Sequence, residues 1–214
     1  MSKSLPEYIV VEGPVGVGKT TLAKRLAQTL NSELMLEMAS DNPFLPRFYE
    51  DQKSVALPTQ LHFLFQRVKQ IEALKQTDMF RPARIADFLM QKDRLFAQVT
   101  LDENELDLYY QVYNRLTLEA PVPDLVIYLQ APVDALLKRV YERGISYEKR
   151  IDEAYLQKIA NAYVEFFYHY HDSPLLIVNT EDFNLADDSS DYEVLLRYIQ
   201  DLAPGRHYFN PKGI

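Results

Sequence analysis

Cysteine is absent from this 214-residue chain, which excludes disulfides, thiolate metal sites and cysteine nucleophiles. No run of roughly 18 apolar residues occurs, and the opening MSKSLPEY carries no apolar signal core. The expectation is a cytoplasmic, soluble protein with no membrane partner. Basic residues are in deficit: 23 Lys and Arg against 31 Asp and Glu give a formal net charge of -8. Nucleic acid is a poor partner for such a surface, because its phosphates need a basic patch. Small anions still fit wherever basic groups gather locally. Glycine is scarce as well, with six in all, and three of them (Gly13, Gly16 and Gly18) crowd into six residues. That concentration marks a place where the backbone turns tightly and approaches a ligand. The apolar fraction of 47% is ample for one core at this size, and residues 1–214 read as a single domain.

Short apolar runs alternate with helical periodicities along the chain. Tyr8 to Val11, Leu34 to Leu36, Arg84 to Phe88, Asp124 to Leu129 and Leu175 to Asn179 read as strands. Thr20 to Leu30, Thr59 to Lys75, Glu103 to Leu118, Val133 to Gly144, Asp152 to His169 and Tyr192 to Leu202 read as helices, with Gly144 as a stop signal. Apolar strands alternating with helices predict an α/β domain, a five-stranded parallel sheet covered on both faces.

The segment GPVGVGKT fits G-x-x-x-x-G-K-[ST] at Gly13, Gly18, Lys19 and Thr20, with a strand before it and a helix after it. The backbone from Gly13 through Pro14, Val15, Gly16, Val17 and Gly18 to Lys19 surrounds one concavity at a helix N-terminus, with every residue but Pro14 bringing an N–H group. Lys19 is placed to bridge the terminal phosphates of a nucleoside triphosphate, and the Thr20 hydroxyl to ligate Mg²⁺. Thr21 completes the loop. The guanine-selecting N-K-x-D and the D-x-x-G switch of GTPases are missing. Of the apolar strands ending LMLE, LVIYLQ and LLIVN, the first alone closes on a carboxylate, Glu37.

A small kinase needs a phosphate loop, a base for the acceptor hydroxyl and arginines that close over the transferring group. Glu37 stands at the carboxyl edge of the sheet, where a base can act or where an exposed glutamate can simply face solvent. Arg139 and Arg143 share a helix face at i, i+4, either as a lid or as part of a solvated, charge-laced helix with Glu142, Glu148 and Arg150. Tyr155, Tyr163 and Tyr168 read as packing residues, and the four histidines have no metal-ligand spacing.

From Tyr8 to about Phe183 the chain resembles the deoxynucleoside kinase family, particularly its bacterial deoxyadenosine/deoxyguanosine kinase branch. The runs YIVVEGPVGVGKTTLA, ASDNPFLPRFYED, TQLHFLFQR, ADFLMQKDRLFA, PDLVIYLQAP and FFYHYHDSPLLIVNTEDF carry the resemblance. It implies a three-layer P-loop kinase fold with an arginine lid at about residues 139–151, ATP and Mg²⁺ as cofactors, a deoxynucleoside as substrate, and a homodimer. It also implies roles. Glu37 matches the base toward the sugar 5′-hydroxyl, and Tyr49 and Glu148 the pair that hold the 3′-hydroxyl. Gln60 matches the reader of the base edge, Arg67 an arginine near the base, and Phe96 the aromatic that stacks on it. Arg139 and Arg143 match lid arginines, and Glu181, Asp182 and Phe183 lie in the loop against the donor adenine.

Two departures stand out. A third lid arginine is replaced by Ile145, with Arg150 as a possible compensation. The Glu-Arg-Ser motif of the animal enzymes reads Asp87-Phe88-Leu89. Asp87 keeps an acidic group for Mg²⁺ and the 5′-hydroxyl, while the arginine is missing, with Arg84 as a possible substitute. Asp93, followed by Arg94, matches a pair that biases base choice. The competing readings are a thymidylate-kinase-like nucleotide kinase and a non-catalytic ATP-binding module.

Overall fold

The computed structural model describes residues 6–75, 83–116, 120–183 and 189–210. Six strands form one parallel sheet: β1 (Tyr8–Glu12), β2 (Glu33–Met35), β3 (Arg84–Ala86), β4 (Leu125–Gln130), β5 (Leu175–Asn179) and β6 (Arg206–Phe209). Their order is β2-β3-β1-β4-β5-β6. Ile9, Val10 and Val11 at the centre are almost fully buried, as a strand covered on both faces requires. Eight helices are described: α1 (Lys19–Thr29), α2 (Leu45–Phe48), α3 (Gln52–Lys75), α4 (Lys92–Thr100), α5 (Glu103–Leu116), α6 (Val133–Arg143), α7 (Glu153–Tyr168) and α8 (Ser189–Asp201). Among these residues no helix is long and apolar enough to cross a membrane.

The sheet has six strands rather than the five expected. β6 escapes sequence reading because RHYF is an edge strand with a single buried side chain, Phe209, and no apolar run. Arg206 anchors it by donating to the carbonyls of Phe167, Tyr168 and Tyr170 at the end of α7. The strand expected at Leu34 to Leu36 runs instead over Glu33–Met35, so Glu37 lies beyond the ladder. α3 begins seven residues before the expected start at Thr59, because two helical pieces merge across a kink at Val55. Pro58 cannot donate a ladder hydrogen bond, and the Thr59 hydroxyl donates to the Val55 carbonyl at 2.6 Å. α2 and α4 carry no periodicity that predicts them, and positions 117 and 118 of the helix expected over Glu103 to Leu118 lie outside the described residues.

Strand order reverses beside β1, with β3 on one side and β4 on the other. In open parallel sheets this is where a crevice opens at the carboxyl ends of the strands, and the loop after β1 feeds directly into it. Gly13 has φ +149, and a Cβ there would meet the Leu129 carbonyl oxygen of β4 at 2.3 Å. Gly16, at φ +83, would bring a Cβ within 2.7 Å of the Leu136 carbonyl oxygen of α6. At these two positions the loop is wedged against a strand and a helix with no room for a side chain. Gly13→Ala is expected to destabilise the fold by about 3 kcal/mol, combining backbone strain with the clash, as read from the midpoint of urea unfolding.

Candidate active site

A cavity of about 810 Å³ opens at the carboxyl edge of the sheet, floored by the phosphate loop from Val15 to Thr21. Gly18 takes a left-handed conformation at the N-cap of α1 and provides no side-chain cap. The first N–H groups of α1 are therefore available to an anion. Lys19 closes the loop by donating from Nζ to the carbonyls of Gly13 at 2.7 Å and Pro14 at 3.1 Å. Gly13 and Pro14 shape the loop from behind, and the cavity lining starts at Val15. Burial pushes the Lys19 ammonium down to about 8, with Lys92 adding to the shift and Glu12 opposing it.

Thr20 and Asp87 meet directly. The Thr20 hydroxyl donates to Asp87 Oδ2 at 2.5 Å, and Asp87 Oδ1 accepts the Glu37 backbone N–H at 2.6 Å. One carboxylate just past β3 therefore links the phosphate loop to the segment after β2. A hydroxyl and a carboxylate side by side form a hard-oxygen donor set suited to Mg²⁺. Among the described residues no cluster of three or more His, Asp or Glu could hold a metal alone, so such an ion would share its shell with phosphate oxygens.

The part of the cavity beyond Asp87 is organised by a chain of charged residues. Glu37 Oε2 accepts from Lys92 Nζ at 3.0 Å, and its Oε1 is paired with Arg67. Arg67 also pairs with Asp93, while Lys92 reaches Glu12 Oε1 at 3.3 Å. Glu12 further accepts from the Tyr163 hydroxyl at 3.4 Å and the Gly13 N–H at 3.3 Å. Burial pushes Lys92 down to about 8 against the opposing pull of Glu12, and burial likewise lowers Arg67. Gln60 donates from Nε2 to the Thr100 hydroxyl at 3.2 Å, and Phe96 faces the cavity from the same helix as Thr100. Tyr49 stacks on Tyr147 with ring centroids 6.1 Å apart. Burial, then Tyr155 and Glu148, raise its phenol.

On the opposite wall, Arg143 pairs with Glu148, and both line the cavity. Arg139 donates to the Thr180 hydroxyl at 3.1 Å, to the Thr180 carbonyl, and to the Glu181 carbonyl at 3.1 Å. Thr180 is itself fully buried and its N–H donates to the Gln130 carbonyl at 2.8 Å. The loop carrying Glu181, Asp182 and Phe183 is therefore bolted to α6 and β4, and all three residues line the cavity.

Most of the residues singled out from the sequence converge on this one cavity, but not all. Asp93 is fully buried and does not line it, so its contact with the site runs through Arg67. Arg84 is not a substitute for the missing arginine. It starts β3 at the opposite end of the sheet and pairs with Glu33 at 3.0 Å. Arg150 pairs with Glu50 on an exposed face and is likewise not in the lining. Ile145 is outside the lining too. Sequence reading missed Glu12, Lys92 and Thr180. Glu12 was legible, since β1 also ends in a carboxylate. Lys92 gave no signal, because lysines are almost never buried.

Comparison with known proteins matches this geometry to a family. The sequence profile described as Deoxynucleoside kinase matches residues 9–204. The deoxyguanosine kinase of Bacillus subtilis (strain 168) is 34% identical over 203 residues, covering 91% of this chain and 97% of that protein. The deoxyadenosine/deoxycytidine kinase of the same organism is 29% identical over 199 residues, covering 89% of this chain and 90% of that protein. The structure of a deoxyadenosine kinase from M. mycoides with bound dCTP superposes with a TM-score of 0.77 at 25% identity, covering 91% of this chain and 99% of that one. The chain belongs to the deoxynucleoside kinase family.

Proposed function

We propose that this enzyme transfers the γ-phosphoryl of ATP to the 5′-hydroxyl of a purine deoxynucleoside. The observation that carries the reading is Asp87, whose two oxygens engage the Thr20 hydroxyl and the Glu37 N–H. A donor site and an acceptor site meet across that one carboxylate. Glu37 takes the proton of the 5′-hydroxyl as its oxygen attacks the γ-phosphorus, and ADP leaves as the bond to the β-phosphate breaks. Lys19 and the N–H groups of the loop hold the phosphates, and Thr20 and Asp87 hold Mg²⁺. That ion, when bound with ATP, supplies positive charge to the phosphate oxygens. Arg139 and Arg143 neutralise charge on the moving phosphoryl group, and Arg139 in addition keeps the Glu181–Phe183 loop against the donor adenine. Excluding water matters because an open site hydrolyses ATP instead.

The acceptor half favours a nucleoside over a nucleotide. Its cations, Arg67 and Lys92, are outnumbered by the three carboxylates they engage, Glu12, Glu37 and Asp93, and Arg143 is taken up by Glu148. A second phosphate on the acceptor would be repelled there. Tyr49 and Glu148 hold the sugar 3′-hydroxyl, Phe96 stacks on the base, and Gln60 reads its edge. The purine preference is supported by the similarity to a deoxyguanosine kinase, and Asp93, which holds Arg67, is the residue expected to bear on base choice. We further propose that the enzyme works in the cytoplasm, where ATP is available, as a homodimer. Phe65 on α3, and Leu108 and Leu116 on α5, are exposed apolar side chains on two helices that pack together, which supports that reading.

Two outcomes are expected. Glu37→Gln should lower kcat by at least roughly 100-fold while nucleoside binding, followed by calorimetry, changes little. Unchanged turnover removes Glu37 from the role of base. Arg139→Ala should raise the KM for ATP roughly tenfold, through loss of charged hydrogen bonds to the Thr180–Glu181 carbonyls. A KM for ATP that does not move, in steady-state kinetics, contradicts that part of the account.

A further inference from the structure

Lys92 begins α4 with only 2% of its side chain exposed, yet it lines the cavity and carries a charge. Its ammonium spans two carboxylates that come from different parts of the sheet, Glu37 beyond β2 at 3.0 Å and Glu12 at the end of β1 at 3.3 Å. It also sits 5.7 Å from the ring centroid of Phe96, one turn along the same helix. Burying an ammonium is costly, and an apolar residue of similar length would pack there at lower cost unless the charge were needed. The neutral partners of Glu12, the Tyr163 hydroxyl and the Gly13 N–H, do not offset a full negative charge. Among the described residues no arginine is ion-paired with Glu12. Phe88 follows Asp87, and Arg84 lies at the other end of the sheet.

We propose that Lys92 is the cationic positioning residue of the acceptor side. It fixes the carboxylate of Glu37 for reaction and takes the charge role left open where the Asp87-Phe88-Leu89 segment lacks an arginine. The inference rests on the reading of Glu37 as the base. Geometry supports it in a specific way. Arg67, from α3, holds one oxygen of Glu37, and Lys92, from α4, holds the other. Two cations on two different helices fix both the position and the plane of the carboxylate, so the lone pairs that remain point where the acceptor hydroxyl enters. Lys92 acts through Glu37 and so belongs to the rate of the chemical step rather than to affinity.

The test compares the full-length protein with Lys92→Met, Lys92→Gln, Lys92→Arg, Glu37→Gln and the Glu37→Gln/Lys92→Met double variant. Steady-state kinetics use MgATP with deoxyadenosine and deoxyguanosine, and thermal melting reports folding. Lys92→Met and Lys92→Gln should each lose roughly 100-fold in kcat, with both KM values within about threefold of the parent. Lys92→Arg should recover activity to within roughly tenfold of the parent, because it restores the cation. The double variant should be no more than about twofold slower than Glu37→Gln alone, since residues acting as a unit do not add. If the methionine variant does not fold, the glutamine variant, which retains a hydrogen-bond donor, carries the same test. Parental kcat in the uncharged variants, an arginine variant as slow as the methionine one, a loss confined to KM, or additive losses in the double variant each overturn the proposal. Full turnover in Glu37→Gln overturns the underlying reading of the base instead, whatever Lys92 does.

Discussion

The buried carboxylate of Glu12 is the constraint around which the site is arranged. It ends the central strand, has no exposure to solvent, and needs a cation. Lys92 supplies it, and because one ammonium is shared with Glu37, the demand passes on to Arg67 and then to Asp93. Removing one member of such a chain leaves an uncompensated buried charge and costs about 3–5 kcal/mol. The ends of β1 and β2 and the helices α3 and α4 are therefore held in one register by electrostatics, in addition to the apolar core beneath them.

The same arrangement separates two jobs that meet at one point. The phosphate loop is wedged between β4 and α6 at Gly13 and Gly16, where there is no room for a side chain. The acceptor wall is held by ion pairs. Asp87 joins the two by accepting from Thr20 on one side and from the Glu37 backbone on the other. Across the cavity, Arg139 fastens the Thr180–Glu181 loop to α6. α6, which carries Arg139 and Arg143, is thereby tied to the Thr180–Glu181 loop, and under the proposed function this joins the lid to the donor side.

What the sequence revealed depended on whether the physics was local. The phosphate loop is a contiguous pattern, and Ile9, Val10 and Val11 announce a doubly covered strand by composition alone. β6 was hidden because RHYF buries only Phe209 at a sheet edge. α4 was hidden because its first two residues, Lys92 and Asp93, look like solvent-facing charges and are in fact buried through pairing. No spacing rule connects Glu37 to Lys92, 55 positions away. The strand ending LMLE pointed to Glu37, and the resemblance to a family supplied its role together with Gln60 and Arg67 for the acceptor side. It offered Arg84 for a missing cation, and the fold put that residue at the wrong end of β3.

The central claim is that the cavity takes a nucleoside hydroxyl, with its carboxylates keeping a second phosphate out. Radiolabelled ATP supplied with the four deoxynucleosides and, separately, with their 5′-monophosphates tests it most directly. The account predicts label in the 5′-monophosphates of deoxyadenosine and deoxyguanosine, with little transfer to any monophosphate acceptor. Preferential labelling of the monophosphate acceptors, or release of label to water alone, would contradict it.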